Sequence, residues 1–402
     1  MHAISPITGA QLLPIRNALD RILANDVISP INVPAHDNSA MDGYAFCSKD
    51  IHSQTTFTVV GTALAGQPYQ HTLEEGQAVR IMTGAMLPAP CDTVLPQELA
   101  SISTDATTPT SITLHLQVNS IRAGQHRRLC GEDLAQGHIA IPAGKRLGPA
   151  ELGLLASLGL AEVRVQRRLR VAIFSTGDEL RSLGQALEQG CVYDSNRYTL
   201  YGMLTRLDID VIDLGVVADN PQALEQALIT ASQEADAVIT SGGVSVGLAD
   251  YTKQVMAKLG DIAFWSIAMR PGRPFAFGQL THNGKSTPLF GLPGNPVAVM
   301  VSFLFFVRSA LLKLAGAPSV RLPMLTAITT TPIPKKHGRT EFQRGIYTTN
   351  QQGQLEVAST GHQGSGVLSS MSQANCMIVI DADQGTVAYG DTVKILLLEG
   401  LI

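Results

Sequence analysis

The chain has 402 residues, more than one hydrophobic core usually organises, so about two to four domains are expected. Hydrophobic residues at 45% and charged residues at 15% describe a folded globular protein and exclude disordered and fibrous classes. A net charge of −4 argues against a general nucleic-acid surface, so any anion this chain binds must be met by a local cluster of cations.

Five cysteines, Cys47, Cys91, Cys130, Cys191 and Cys376, are scattered without a C-x-x-C pair and read as reduced thiols of a cytoplasmic protein. Met1 to Pro6 shows no charged and apolar leader. The most apolar window, Val297 to Val307, falls short of the roughly 20 residues that span a bilayer and reads as a buried helix, so no membrane is expected.

In chain order, Asn17 to Val27 reads as a short helix with Leu19, Ile22 and Leu23 at helical spacing. Asp37-Asn-Ser-Ala-Met-Asp42-Gly43 then crowds polar groups onto what is, by pattern, a D-G hairpin turn. From Phe57 to Gln117 short β-branched runs separated by Gly, Pro and Ser-Thr clusters predict a β-rich unit, with Thr83-Gly84 at a strand end and Asp133 beyond the Arg127-Arg128 pair. Leu147, Leu152, Leu155 and Leu158, with Pro149 ahead of them, predict a helix that packs back on the first one, which makes the β-rich unit an insertion.

From Val171 onward strands alternate with helices, and this predicts a doubly wound, mostly parallel sheet. Such sheets bind ligands beyond the carboxyl ends of their strands. Several polar clusters fall there: Thr176-Gly-Asp-Glu179, Asp219-Asn220, Ser241-Gly242-Gly243 with Ser245 and Asp250, Arg270-Pro-Gly-Arg273-Pro274, and Pro293-Gly-Asn295-Pro296. Glycines bring backbone close to a ligand, carboxylates suit a hard cation such as Mg²⁺, and arginines suit phosphate or another oxyanion. Each cluster alone is also an ordinary turn or cap; together they fit a nucleotide-like substrate with a metal. Past Gly316, five strand-like runs predict a C-terminal β domain, interrupted by Glu341-Phe-Gln-Arg344 and by Thr360-Gly-His-Gln-Gly-Ser365.

Asp37 to Ala45, Arg80-Ile-Met-Thr-Gly-Ala85, Gly131-Glu-Asp133, Ser175-Thr-Gly-Asp-Glu-Leu180, Ser241 to Gly247 with Asp250-Tyr251, and Leu292-Pro-Gly-Asn-Pro296 together resemble the MoeA-type molybdopterin molybdenumtransferases, related to the gephyrin E domain. The resemblance spans nearly the whole chain. It implies a split helical domain at 1–29 and 138–168, an inserted β-rich domain at 30–137, an α/β molybdopterin-binding domain at 169–317, and a β-barrel-like domain at 318–402. It also implies a homodimer that takes adenylylated molybdopterin and molybdate with Mg²⁺ and releases AMP, with an upstream adenylyltransferase and downstream molybdoenzyme chaperones as partners.

By motif position the resemblance assigns catalysis to Asp42, Thr83, Asp133, Glu179, Asp219 and Asp250, with Mg²⁺ on the last three. It assigns substrate binding to Ser241, Gly242, Gly243, Ser245, Asn295 and Pro296, and molybdate binding to Arg270, Arg273, Pro274, Arg344 and Ser365. Three departures stand out: arginines at 270 and 273 where relatives commonly carry lysine, Ala298 where many carry serine, and Ser266 where some carry lysine. Two other readings are carried alongside, a molybdopterin adenylyltransferase and a scaffold module.

Overall fold

The computed structural model describes residues 4–103, 111–114, 122–243, 250–318 and 321–402, and of 101–103, 111–114, 250 and 251 the backbone alone. The chain's two outer segments meet first. Strand Ala10–Pro14 runs antiparallel to Glu162–Gln166, and Val27–Ile28 to Ile139–Ile141. Ala18, Leu23, Ile141, Leu147, Leu155, Leu158 and Val165 form one core from both segments. Helix α1, Pro149–Ser157, has Pro in its first turn, and the Glu151 carboxylate accepts from Gly148 N at 2.8 Å.

The helix expected across 17–27 does not form. A single 3₁₀ turn, Ile15–Asn17, is followed by Asp20 at φ 63°, and Ile22 and Leu23 enter β-bridges instead. Arg21 is drawn away to Gln166 O at 2.7 Å and to Asp208 at 3.1 Å, so long-range partners override a helical spacing this short.

The inserted unit is a six-stranded sheet in the order 93–96, 43–46, 77–81, 56–63, 111–114, 100–103, in which only the pair 56–63 and 77–81 is parallel. Asp42-Gly43 is not a hairpin turn. The strand Asn38–Ser39 before it pairs with Arg127–Arg128, while Gly43–Phe46 joins the six-stranded sheet.

The third unit holds a six-stranded sheet in the order 210–217, 170–176, 237–241, 285–292, 274–282, 260–266. The first four strands are parallel and the last two join antiparallel. Val171, Ile173, Ile239, Phe290 and Leu292 face one core with helix α2, Asn196–Thr205. Ala172, Phe174, Val238 and Leu289 face the other with helix α3, Pro221–Glu234, and helix α4, Asp250–Leu259. Both faces of the sheet are therefore covered, which explains the uninterrupted apolar strand runs.

The apolar window at 297–307 lies inside a longer helical run, Pro296–Leu314, of 19 residues. It passes through a π-helical turn at Phe303–Val307. By length and composition the run is long enough to cross a membrane, and 67% of its apolar 18-residue window is buried inside the protein. Arg308 and Lys313 conceal its length in the sequence because they break the apolar run without ending the helix.

The C-terminal unit is a closed five-stranded barrel of 325–329, 355–359, 340–349, 376–380 and 392–397. A two-residue strand from the third unit, Met269–Arg270, adds in parallel to Thr340 and Glu341. The loop Arg270–Pro274 is thereby fixed by both units.

Candidate functional site

A cleft of about 1050 Å³ opens at the carboxyl ends of the central parallel strands. Each strand end contributes by its local sequence. Thr176 to Glu179 follows the first; at Gly177 (φ 154°) a Cβ would lie 2.7 Å from Glu179 Oε2, so glycine lets that carboxylate fold back over the turn. Gly242 (φ 89°) follows the next, where a Cβ would lie 2.3 Å from Thr176 O, and its N–H donates to Leu292 O at 3.1 Å. Only glycine permits this approach between adjacent strand ends.

Asn196, at the start of α2, ties two walls together. Its Nδ2 donates to Ser241 Oγ at 2.7 Å and to Gly294 O at 2.6 Å. The segment holding it is anchored by buried Asp194, which accepts from Ser175 Oγ at 3.1 Å and from Arg197 Nε at 3.1 Å. Thr176 Oγ1 and Asn196 Oδ1 line this cleft buried and without a hydrogen-bond partner among the described residues. Most buried polar atoms have one, so these two mark a place where a ligand or ordered water completes the bonding.

The opposite wall is cationic. Arg270, Arg273, Pro274 and Ser365 line it, as does Arg339. Arg273 Nε donates to Ser266 Oγ at 2.8 Å, which gives the serine found in place of lysine a definite task. Arg344 is placed differently from the expectation. It is fully buried, and its guanidinium donates to the carbonyls of His362 (3.1 Å), Gln363 (3.3 Å) and Gly364 (2.9 Å) and to Ser370 Oγ (3.1 Å). Burial, and then the charge of Arg270, push its pKa down. It holds the loop that presents Ser365 and does not line the cleft. Arg339, five residues earlier and exposed, is the guanidinium that does.

Of the residues singled out from sequence, Glu179, Asp219, Ser241, Gly242, Gly243, Asn295 and Pro296 line the same cleft as the cationic wall. Ala298 also lines it, without a hydroxyl to offer. Asp219 N lies 3.4 Å from Asp178 Oδ1. Ser245 lies outside the described residues, and Asp250 opens α4 with its side chain likewise outside them. Among the described residues no group of three His, Cys, Asp or Glu side chains is arranged to hold a metal by itself.

Asp42, Thr83 and Asp133 do not line the cleft within one chain. Asp42 Oδ1 accepts from Thr83 N at 2.7 Å and Thr83 Oγ1 at 2.8 Å, and these bonds, the backbone one foremost, hold the exposed Asp42 carboxyl below its ordinary pKa. Nearby, Asp37 accepts from Arg127 and from Cys130 N at 2.7 Å, which pins the loop that carries Asp133.

Comparison with known proteins agrees with this architecture throughout. Residues 1–159 match the MoeA N-terminal region (domain I and II), 172–313 a probable molybdopterin binding domain, and 326–398 the MoeA C-terminal region (domain IV). A molybdopterin molybdenumtransferase of Haemophilus influenzae is 45% identical over 96% of this chain and 94% of its own. One from a Nostoc species is 35% identical over 96% and 88%. The crystal structure of the molybdopterin biosynthesis MoeA protein of Pyrococcus horikoshii superimposes with a TM-score of 0.81 at 27% identity, covering 98% of this chain and 96% of that one. With its three regions matched in order and a relative this similar over nearly its full length, the chain belongs to the MoeA family of molybdopterin molybdenumtransferases.

Proposed function

We propose that this protein is a molybdopterin molybdenumtransferase of molybdenum cofactor biosynthesis, and that its cleft takes adenylylated molybdopterin together with molybdate and releases AMP. The observation that carries the reading is the pairing, in one cleft, of a wall of guanidiniums with carboxylates and tight glycine turns at the strand ends. Arg270, Arg273 and Arg339 supply planar donor forks suited to a tetrahedral dianion, with the Ser365 hydroxyl beside them. Gly242 and Gly243 let backbone N–H groups approach the phosphate or pterin portion, and Asn196 fixes the spacing between that turn and the Pro293–Pro296 wall.

The donor set fits Mg²⁺ that arrives with phosphates: Glu179 and Asp219 are hard oxygen ligands, and Mg²⁺ needs only one or two carboxylates when substrate oxygens and water complete its shell. Bound there, it would neutralise charge on the phosphoanhydride. The chain's own groups hold the substrate in line, exclude water from the strand-end floor and keep the oxyanion next to the group it joins. Asp42, Thr83 and Asp133, absent from the cleft of their own chain, are read as reaching the cleft of a partner subunit in a homodimer.

The test is to incubate the purified protein with adenylylated molybdopterin, molybdate and Mg²⁺ and to follow AMP by chromatography. AMP release that requires molybdate, and that falls at least about a hundredfold in Asp219→Ala, is expected for a carboxylate acting on the charged centre. No AMP release, with ATP consumed in the presence of free molybdopterin instead, would replace this reading with an adenylyltransferase.

A further inference from the structure

Arg270 stands on a wall shared by two cavities. A second cavity of about 510 Å³ adjoins the cleft, and Arg270, Pro271 and Gln363 border both. Its lining includes the buried Glu341. Glu341 Oε2 accepts from Gln343 Nε2 at 2.9 Å, and its Oε1 lies 3.7 Å from an Arg270 Nη. A carboxylate removed from water needs a cation or good hydrogen bonds. At 3.7 Å this pair is longer than the roughly 2.7–2.9 Å of a charge-assisted hydrogen bond, so Arg270 attends Glu341 without being locked to it.

The backbone fixes the rest of the geometry. Met269 and Arg270 run in parallel register with Thr340 and Glu341, and Thr340 N donates to Ala268 O at 3.0 Å. The Arg270 side chain is 63% exposed, so it can rotate without breaking a packed core, whereas the Glu341 side chain at 9% cannot follow it. Arg273 differs: among the described residues its Nε donates to the neutral Ser266, which makes no competing claim on its charge.

We propose that Glu341 is a positioning residue that competes with the bound oxyanion for Arg270. The inference rests on the proposed placement of molybdate at the cationic wall. When the anion binds, Arg270 turns from the buried carboxylate toward the cleft, and the loss at Glu341 offsets part of the gain at the anion. Glu341 thus keeps a substrate from being held more tightly than turnover allows, since binding the ground state harder does not speed the step that follows.

Calorimetric titration of the full-length protein with sodium molybdate tests this in wild type, Glu341→Gln, Arg270→Ala and the double variant. Glu341→Gln retains a partner for Gln343 and removes the charge, so it should bind molybdate about two- to fivefold more tightly, the scale of a partly exposed ion pair. In the Arg270→Ala background the same change should have no effect. Glu341→Asp, whose carboxylate is withdrawn by one methylene, should tighten binding by a smaller factor, and it serves should the glutamine variant fail to fold. A merely structural glutamate would weaken binding or leave it alone when replaced; either result, with Arg270→Ala still weakening binding, overturns the inference and leaves the reading of the cleft standing. Arg270→Ala with unchanged affinity would remove the oxyanion from this wall and both claims with it.

Discussion

Arg339 and Arg344 carry the same charge five residues apart, yet the structure gives them opposite surroundings. Arg344 is buried among three carbonyls and a hydroxyl, so its removal takes a buried donor from each of them and leaves a void beneath the loop they belong to. Arg344→Ala should therefore cost about 3 kcal/mol or more of stability, read as a lower midpoint in chemical denaturation. Arg339→Ala should cost less than about 0.5 kcal/mol, as exposed substitutions do. Its loss should instead raise the KM for molybdate by about tenfold or more, the scale of one hydrogen bond to a charged group. If Arg339→Ala leaves that KM unchanged, the guanidinium does not meet the anion. The sequence reading assigns Arg344 to the anion and passes over Arg339, the one of the two that lines the cleft. Residues 341–345 are all buried, Phe342 against Phe305 of the long helical run, Arg344 against the carbonyls of 362–364, and Glu341 and Gln343 against each other, so the alternation of in and out that would sort them is missing.

At the scale of elements, the signals that held were local and chemically specific. Asn220-Pro221 opens α3 as its residues dictate, with Asn220 Oδ1 accepting from Ala223 N at 2.9 Å. The false helix at 17–27 and the false hairpin at Asp42-Gly43 share a cause: partners more than a hundred and about ninety residues away, respectively, decide the conformation. Asp236 shows how such remote ties join elements. Just past α3, it accepts from Arg167 through both oxygens at 2.7 Å and from Arg170 N at 2.8 Å, linking the helix end to the segment that enters the sheet. Burial opposes its charge, but the Arg167 and Arg170 donors outweigh that and hold its pKa below the ordinary value. A depressed carboxyl stabilises the fold fully above its unfolded pKa of about 3.9, and the contribution disappears as pH falls through the lower folded value. Asp236→Asn should accordingly lose about 2 kcal/mol at pH 7, the range for hydrogen bonds to charged groups. In thermal melts the gap from wild type should begin to narrow below about pH 4 and close as pH falls through the lower folded value; a gap constant from pH 7 to acid would show that charge at Asp236 is not what ties these elements.

For the whole molecule, the question is where Asp42, Thr83 and Asp133 act. Asp42 and Thr83 flank strands of a sheet separate from the one that builds the cleft, Asp133 lies in the loop after Arg127–Arg128, and Asp42 and Thr83 are already joined to each other, as a preorganised pair awaiting a ligand would be. The family resemblance assigns residues of both units to one site, but a single chain's residues carry no statement of which copy completes which cleft. If the halves come from different subunits, a variant lacking one half and a variant lacking the other must complement. Asp42→Ala and Asp219→Ala homodimers should each be nearly inactive in AMP release. After mixing and exchange, random reassortment of a two-fold dimer makes about half the dimers mixed, and each of those has one intact cleft, so about a quarter of wild-type activity should return. The return should follow subunit exchange in time and should be absent when Asp219→Ala is mixed with a Glu179→Ala variant, because both lesions then lie in the same half of every cleft. Activity that stays at the sum of the two inactive samples, with exchange verified by mass, would place both halves within one chain and require the two sheets to close on each other.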